Sequence, residues 1–348
     1  MRIFEYITID PNSRKPKYRQ IVDCIVENIG AGNIMVDEKI PSINSLSERF
    51  ILSRDTVEKA YNILKKRNII TPVKGKGFYV TDVPLKKGNR ILFLINKLSA
   101  YKMRIYNSFV SSVGPDVQTD LDIYHCDESL FLALLERDQH GYDYFVIMPH
   151  FKTDELRHTS TTDKVTRLLR SIPDNKLVIL DNHLSELAGD FAEVYQDFEM
   201  DIYEALKQGE SKIQQYEKAV LGFPSRSVYP YPRRILRGFR HFCVEAKISF
   251  EVIDKIEEDH PLEAGTLYLT IPEEDLVNLV KAARDQGLTP GKDIGIISYN
   301  ETPLKDLLGI TTISTNFDQM GRTSARLITE KKRDKIKNPF VLTNRDSL

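Results

Sequence analysis

No stretch of this 348-residue sequence approaches the roughly 20 consecutive apolar residues that a membrane-spanning helix needs. The opening residues, MRIFEYITID, lack the basic, apolar, small-residue order of a secretion signal, so a cytoplasmic protein with no membrane partner is expected. Cysteine is scarce and odd in number. Cys24, Cys126 and Cys243 lie far apart, which points to reduced, buried side chains and away from a disulfide framework or a metal site. Also missing are a Gly-x-Ser-x-Gly elbow, a His-Glu-x-x-His pair, clustered Cys/His ligands and a dinucleotide fingerprint after a strand. These gaps predict no catalytic residue, no metal, no cofactor and no enzyme. A charge excess of one sign is absent too, since 49 basic and 50 acidic residues leave a net of −1. That balance hides an asymmetry. Residues 1–88 hold 16 Lys and Arg against 10 Asp and Glu, a net of +6, and the remainder holds 33 against 40, a net of −7. A small basic module on a larger acidic body predicts a polyanion partner for the small part alone.

What is present begins with KYRQIVDCIVENIGAG, where Tyr18, Ile21, Val22, Ile25, Val26 and Ile29 form one apolar stripe at helical spacing. Gly30 and Gly32 are expected to stop that helix. Pro41 and Ser42 open a second helix, capped by Ser42, with Ile43, Leu46 and Phe50 on one side. After a very short turn Ser53 caps a third, whose inward face is Val57, Ala60, Tyr61 and Leu64. With that face pinned, Arg54, Asp55, Thr56 and Glu58 cannot all be core. In a helix-turn-helix these N-terminal residues meet base edges in the major groove. An arginine there can grip guanine O6 and N7, worth about 1–3 kcal/mol of discrimination, and an aspartate can accept from a cytosine amino group. The plain alternative is a solvated helix start. NIITPVKGKGFYV then reads as a strand, a tight Lys74-Gly75-Lys76-Gly77 turn and a second strand. As a nucleotide loop it fails, because no helix and no Gly-Lys-Ser/Thr ending follow. Three helices and a basic hairpin make a winged helix-turn-helix.

In order and spacing, YRQI, IPSINSLS, SRDTVEKAYNIL and GKGFYV resemble the DNA-binding domain of the gluconate-repressor (GntR) superfamily. The resemblance runs from Tyr18 to Val80. It implies that Ser42, Asn44, Ser53, Arg54, Asp55 and Thr56 face operator DNA, with Lys74, Gly75 and Lys76 in the wing. Two positions depart from the pattern: Asn44 replaces the usual arginine of the second helix, and Asn68 the usual glycine after the third.

TDVPLKKGNR, from Thr81 to Arg90, is polar, holds a proline and a glycine, and separates two periodicities. The expected division is a winged helix-turn-helix at 1–80, a linker at 81–90 and an effector domain at 91–348. In that last part strand-like runs such as RILFLIN, YDYFVIM, KLVILD, TLYLTI and IGIISY alternate with helical patterns. Near-continuous apolar strands between helices predict an α/β fold with parallel sheets covered on both faces, in two successive halves. Ligands of such sheets sit beyond the strands' carboxyl ends. That directs attention to Asn96–Ser99, Met148–His150, Asp181, Gln196 with Asp197, and Ser298–Glu301.

From about Arg90 onward, VILD, RRILRGF, ARDQGLTPGKDIGIISYNE, ITTISTNFDQMGRTSARLI and TNRDSL resemble the effector domain of the lactose/galactose-repressor (LacI/GalR) family, which is similar to periplasmic sugar-binding proteins. By that resemblance a small sugar lies between two lobes. The implied contacts are Asn96, Ser99, Tyr101, His150, Asp181, Asp197, Arg233, Glu273 and Asn300. Arg233 stands where the family has a clamping arginine and Asn300 where it usually has aspartate. LTIPEED departs from the usual Asn-Asp pair, leaving Glu273 as the substitute. Read by residue type alone, Arg233 is a surface salt-bridge former, and His150 and His183 are loop residues.

The whole, a GntR-type reader on a LacI-type sensor, resembles arabinose-type repressors. It implies a homodimeric repressor of carbohydrate genes whose partners are double-stranded operator DNA and an effector such as arabinose, fucose or a sugar phosphate. The alternative is a sugar-binding module or enzyme-derived body fused to a DNA-binding domain, with a non-sugar effector.

Overall fold

The computed structural model describes residues 2–11, 13, 15–30, 33–35, 37–66, 69–73, 75–81, 89–115, 117–138 and 141–348. The expectations for Gly32, Asn68, Lys74 and most of the linker lie outside the described residues. The chain divides into two compact units, Met1–Gly88 and Asn89–Leu348.

In the first unit the apolar stripe of α1 (Lys17–Gly30) meets α2 (Ile43–Phe50) and α3 (Arg54–Lys66) around one core. Val57, Ala60, Tyr61 and Leu64 are fully buried in it. Ser42 caps α2 by accepting from Ser45 N at 3.1 Å. β2 (Ile70–Val73) and β3 (Gly77–Val80) form the hairpin, and a short β1 (Lys39–Ile40), not apparent from periodicity, pairs with the far side of β3. A 3₁₀ turn over Arg2–Glu5 brings Ile3 and Ile7 into the same core. Gln20 of the YRQI segment holds that N-terminal arm, accepting from Asp10 N at 2.8 Å and donating to Lys15 O at 2.8 Å.

The second unit has two lobes. The first contains β4 (Arg90–Ile95), α4 (Ala100–Val113), β5 (Gln118–Ile123), α5 (Glu128–Asp138), β6 (Tyr144–Ile147), a small hairpin of β7 (Phe151–Lys152) and β8 (His158–Thr159), α6 (Asp163–Leu169), β9 (Leu177–Asn182) and β10 (Ala192–Gln196). The second contains α7 (Phe198–Gln208), α8 (Glu210–Ile213), β11 (Lys218–Gly222), α9 (Arg234–Glu245), β12 (Ser249–Ile253), β13 (Thr266–Thr270), α10 (Glu273–Asp285), β14 (Gly295–Tyr299), α11 (Pro303–Leu307) and β15 (Thr311–Thr315). Each central strand is buried on both faces, which is why β9, β13 and β14 read as near-continuous apolar runs.

The two halves are not successive, as the alternation suggested. After β15 the chain returns to the first lobe. There α12 (Phe317–Thr329) puts Phe317, Met320, Leu327 and Ile328 into that lobe's core, and β16 (Lys335–Lys337) pairs with β10. The chain then crosses again, and β17 (Phe340–Thr343) closes the second sheet antiparallel to β15. The sheets run β16-β10-β9-β6-β4-β5 and β12-β11-β13-β14-β15-β17. A Cβ on Gly321 would lie 2.4 Å from the Ile105 carbonyl oxygen, so α12 crosses α4 closer than any side chain allows. In both sheets strand order reverses beside the lobe's first strand, and ligands of such sheets seat beyond the strand ends at that reversal.

Candidate functional site

In the first unit the candidate site is the outer end of α3. Its buried face fixes the helix, and the Tyr61 hydroxyl adds a tie by donating to Pro41 O at 2.6 Å. Burial pushes that phenol's pKa up. Ser53 accepts from Thr56 N at 3.2 Å, and its hydroxyl shares a 2.7 Å bond with the Thr56 hydroxyl. Those two groups are occupied with each other. Arg54 and Asp55 are exposed, and neither forms an ion pair among the described residues. Asn44 is exposed on the first turn of α2 beside the Ser42 cap. At the wing Gly75 and Gly77 have φ of 75° and 105°, conformations that glycine adopts freely, and Lys76 is exposed. The turn between α2 and α3 is tight because Ile51 itself adopts the left-handed conformation, at φ 51° and ψ 50°.

In the second unit a cavity of about 40 Å³ lies between the lobes at the strands' carboxyl ends. Of the expected contacts, Asn96, Tyr101, His150, Asp181 and Asn300 line it. The lobes use the same device. Asp181, the last residue but one of β9, has φ 71° and Asn300, just after β14, has φ 67°, left-handed positions that Asp and Asn tolerate better than other side chains.

Asp181 is the centre of a buried network. Lys102 Nζ and the Gln196 amide donate to its carboxylate, and His150 Nε2 lies 3.0 Å from Oδ2. Burial alone would raise the carboxyl's pKa. The charge of Lys102 and the contact with His150 outweigh it and hold Asp181 far below the ordinary carboxylate range. Burial, followed by the charge of Lys102, keeps the His150 imidazole below its usual range. His158 is pushed lower still by burial and by His150. A neutral His150 that gives its Nε2 proton to Asp181 must accept at Nδ1, so His158 Nε2 donates to it across 2.8 Å. His150 thus lies in the loop after β6, as its residue type suggested, and forms a wall of the cavity. His183 contacts Glu193 at 2.9 Å and faces a separate opening.

Four expected residues stand elsewhere. Ser99 caps α4, accepting from Lys102 N. Asp197 caps α7 and pairs with Arg234 at 2.9 Å. Arg233 lines the separate opening of about 340 Å³, on the outer side of Phe198 and Pro232. It sits one position before the helical turn whose next arginine takes the salt bridge. Glu273 is exposed at the start of α10. Its charge acts on Lys305, whose pKa burial lowers to about 8 while Glu273 and Glu301 oppose the shift. Lys305 in turn donates to the carbonyls of Tyr299 and Asn300, bracing the strand end.

Sequence reasoning did not name Lys102, Phe198, Tyr231 and Phe317 and reached Lys97, Gln196 and Tyr299 only as strand-end residues; all seven also line the cavity. Phe317 required the return of α12. Tyr101 stacks on Phe317 with ring centroids 5.2 Å apart. Two buried acceptors, Asn96 Oδ1 and Gln196 Oε1, have no hydrogen-bond partner among the described residues. The segment from Phe223 to Pro232 straps the mouth. Ser227 N donates to Leu156 O at 3.1 Å, and the Tyr229 hydroxyl meets His125 Nδ1 at 3.1 Å.

Residues 17–80 match the family model for bacterial regulatory proteins of the gntR family, and residues 216–347 match that of the periplasmic binding protein-like domain. The chain is 36% identical over 76 residues to the HTH-type transcriptional repressor YtrA of Bacillus subtilis, covering 22% of this chain and 58% of the relative. It is also 36% identical over 66 residues to the arabinose metabolism transcriptional repressor of Geobacillus stearothermophilus, covering 19% of this chain and 18% of the relative. It therefore spans less than two thirds of the length of these curated relatives. The fold is similar to that of the trehalose repressor from Escherichia coli, with a TM-score of 0.58 at 16% identity over 74% of this chain and all of that one. Among the described residues no helix is long and apolar enough to cross a membrane.

Proposed function

We propose that this chain, a gntR-family helix-turn-helix unit followed by a periplasmic-binding-protein-like unit, is a sequence-specific repressor of carbohydrate-utilisation genes. It acts as a cytoplasmic homodimer on double-stranded operator DNA and is controlled by a small hydroxylated effector held between the lobes. It works by binding alone. The observation that carries the reading is the α3 face. Four fully buried residues lock one side of the helix, leaving Arg54 bare at the end that enters a groove. Arg54 and Asp55 read bases, while Lys76 and the wing backbone meet phosphate. Two such helices in a dimer would sit about 34 Å apart, one DNA turn, on a near-palindromic site.

The cleft supports the second half. Its orphaned acceptors and stacked rings suit a polyol, and the relatives named for arabinose and trehalose favour a sugar. At about 40 Å³ the cavity is far below the roughly 300 Å³ where small-molecule pockets begin, so the lobes must part to admit a ligand and close on it. A ligand held better by one lobe arrangement than the other shifts their balance and the spacing of the readers.

The test is operator selection from random duplexes, followed by binding of the selected site. Arg54→Ala should weaken specific binding by roughly 5- to 150-fold, matching the loss of one bidentate base contact, with melting temperature unchanged. An unaltered affinity for the selected site would refute the reader.

A further inference from the structure

Among the described residues Lys97 is a cation without a counter-ion. It follows β4 at the reversal of strand order, and its ammonium group lies 5.8 Å from the ring of Tyr101, 5.6 Å from Tyr229 and 5.0 Å from Tyr231. No carboxylate is within ion-pair distance of it among the described residues, and none of its three N–H groups has a hydrogen-bond partner there. The other charges in the cavity cancel, since Lys102 pairs with Asp181 and His150 is neutral beside them. The wall therefore carries one unopposed positive charge.

From this juxtaposition we infer that the effector is an anionic, hydroxylated molecule, a sugar acid or a sugar phosphate, whose negative group is met by Lys97. The inference rests on the reading of the cleft as the effector site. A cationic ligand seated among the tyrosines would face Lys97 directly and be repelled. A bare anion would leave Asn96 Oδ1 and Gln196 Oε1 without donors, although the two residues are only 5% and 4% exposed. A molecule with hydroxyls and one anionic group satisfies both demands. Its hydroxyls donate to the two amide oxygens and exchange bonds with the Asn300 amide, its ring lies on the aromatic surface, and its anion takes the free N–H groups of Lys97. The strap contributes to this selection, since Tyr229 and Tyr231 hold the ammonium group without neutralising it. Cation–π contacts leave the full charge available to an incoming anion.

The experiment uses the full chain and matched triplets: glucose, glucuronate and glucose 6-phosphate; arabinose, arabinonate and arabinose 5-phosphate. Binding is measured by calorimetry and by the shift in melting temperature, for wild type, Lys97→Met and Lys97→Arg. In at least one triplet an anionic member should bind about 10-fold or more tighter than its neutral parent, the scale of a hydrogen bond to a charged group. Lys97→Met should abolish that ratio while keeping the fold, and Lys97→Arg should retain most of it. Whether carboxylate or phosphate wins identifies the source of the charge. A neutral sugar that binds as tightly as its anions, or a ratio untouched by Lys97→Met, overturns the inference and leaves the effector cleft standing. A flat response to all six by a chain that still binds its operator overturns the cleft as a sugar sensor, and the inference with it.

Discussion

In the first unit Arg54 and Lys76 stand in solvent with no ion pair among the described residues, whereas in the second Lys102, His150 and Asp181 engage one another. The contrast fits the partners proposed for the two units. A duplex brings its own dense charge, and cations that meet it gain by releasing counterions without being held in one geometry beforehand. A small polar ligand offers a few hydroxyls, so the groups that grip it must already be oriented, which demands a supporting network around them. Asp181 is such a support as much as a contact, because Lys102, His150 and Gln196 leave it little capacity for a ligand. Lys97 is the exception inside the cleft, arranged like a DNA-facing cation but ringed by tyrosines.

The sharpest way to break the comparison is to delete a charge from the buried network. Lys102→Met leaves the Asp181 carboxylate buried beside a neutral imidazole and an amide, and should cost about 3–5 kcal/mol, typical of an ion pair stripped of one partner. Urea unfolding of the full chain reads it as an earlier transition of the second unit. Adding Asp181→Asn should recover much of the loss. In wild type the folded carboxyl titrates far below its unfolded counterpart, so the pair's contribution is complete above pH about 3.9. That contribution is lost as pH falls toward the folded value. Lys102→Met should move this acid limb to higher pH. A variant as stable as wild type at pH 7 would mean the network is not a support at all.

A middle-sized effect tests the turn that presents the reader. Ile51 is 92% exposed and holds a left-handed backbone that a β-branched side chain adopts at a cost. Ile51→Gly should stabilise the first unit by about 0.5–1 kcal/mol, the relieved strain being partly offset by the greater freedom of an unfolded glycine. Operator affinity should stay the same, since the residue touches neither core nor the outer face of α3. Destabilisation would show that the freedom of an unfolded glycine outweighs any strain relieved at this turn.

The same contrast explains what could be read from the sequence. The reader is local. Its capping serines, its stripe from Val57 to Leu64 and its Gly75-Lys76-Gly77 turn all lie within about forty positions, and each follows from periodicity or from glycine's backbone range. The cleft is assembled from strand ends far apart in the chain. The rule that ligands sit beyond those ends found Asn96, His150, Asp181 and Asn300. It also gathered Ser99 and Asp197, because a residue after a strand is as often the cap of the next helix as a contact. Arg233 followed the family pattern, yet its side chain stands on the outer side of Phe198 and Pro232. Nothing in local periodicity could announce that α12 folds back to bring Phe317 under Tyr101, since that depends on a close crossing at Gly321 more than two hundred residues downstream of α4.

The smallest effect on stability belongs to the wing, where removing a charge should sharpen the contrast. Lys76→Ala should alter the stability of the folded chain by less than about 0.5 kcal/mol, as for other surface positions without buried partners. Its signature lies in DNA binding. Affinity should fall by a similar factor on operator and on unrelated duplexes, and the slope of log affinity against log salt should become shallower by about one unit, the share of a single phosphate contact. Titration of labelled duplexes from 50 to 300 mM salt, on the order of the range over which such slopes are read, measures both. A loss confined to one base position would make Lys76 a reader of sequence, and the wing and α3 would then share the task proposed for Arg54 and Asp55. An unchanged slope would place the wing away from the phosphates and leave the basic charge of the first unit, net +6, to act through other lysines and arginines.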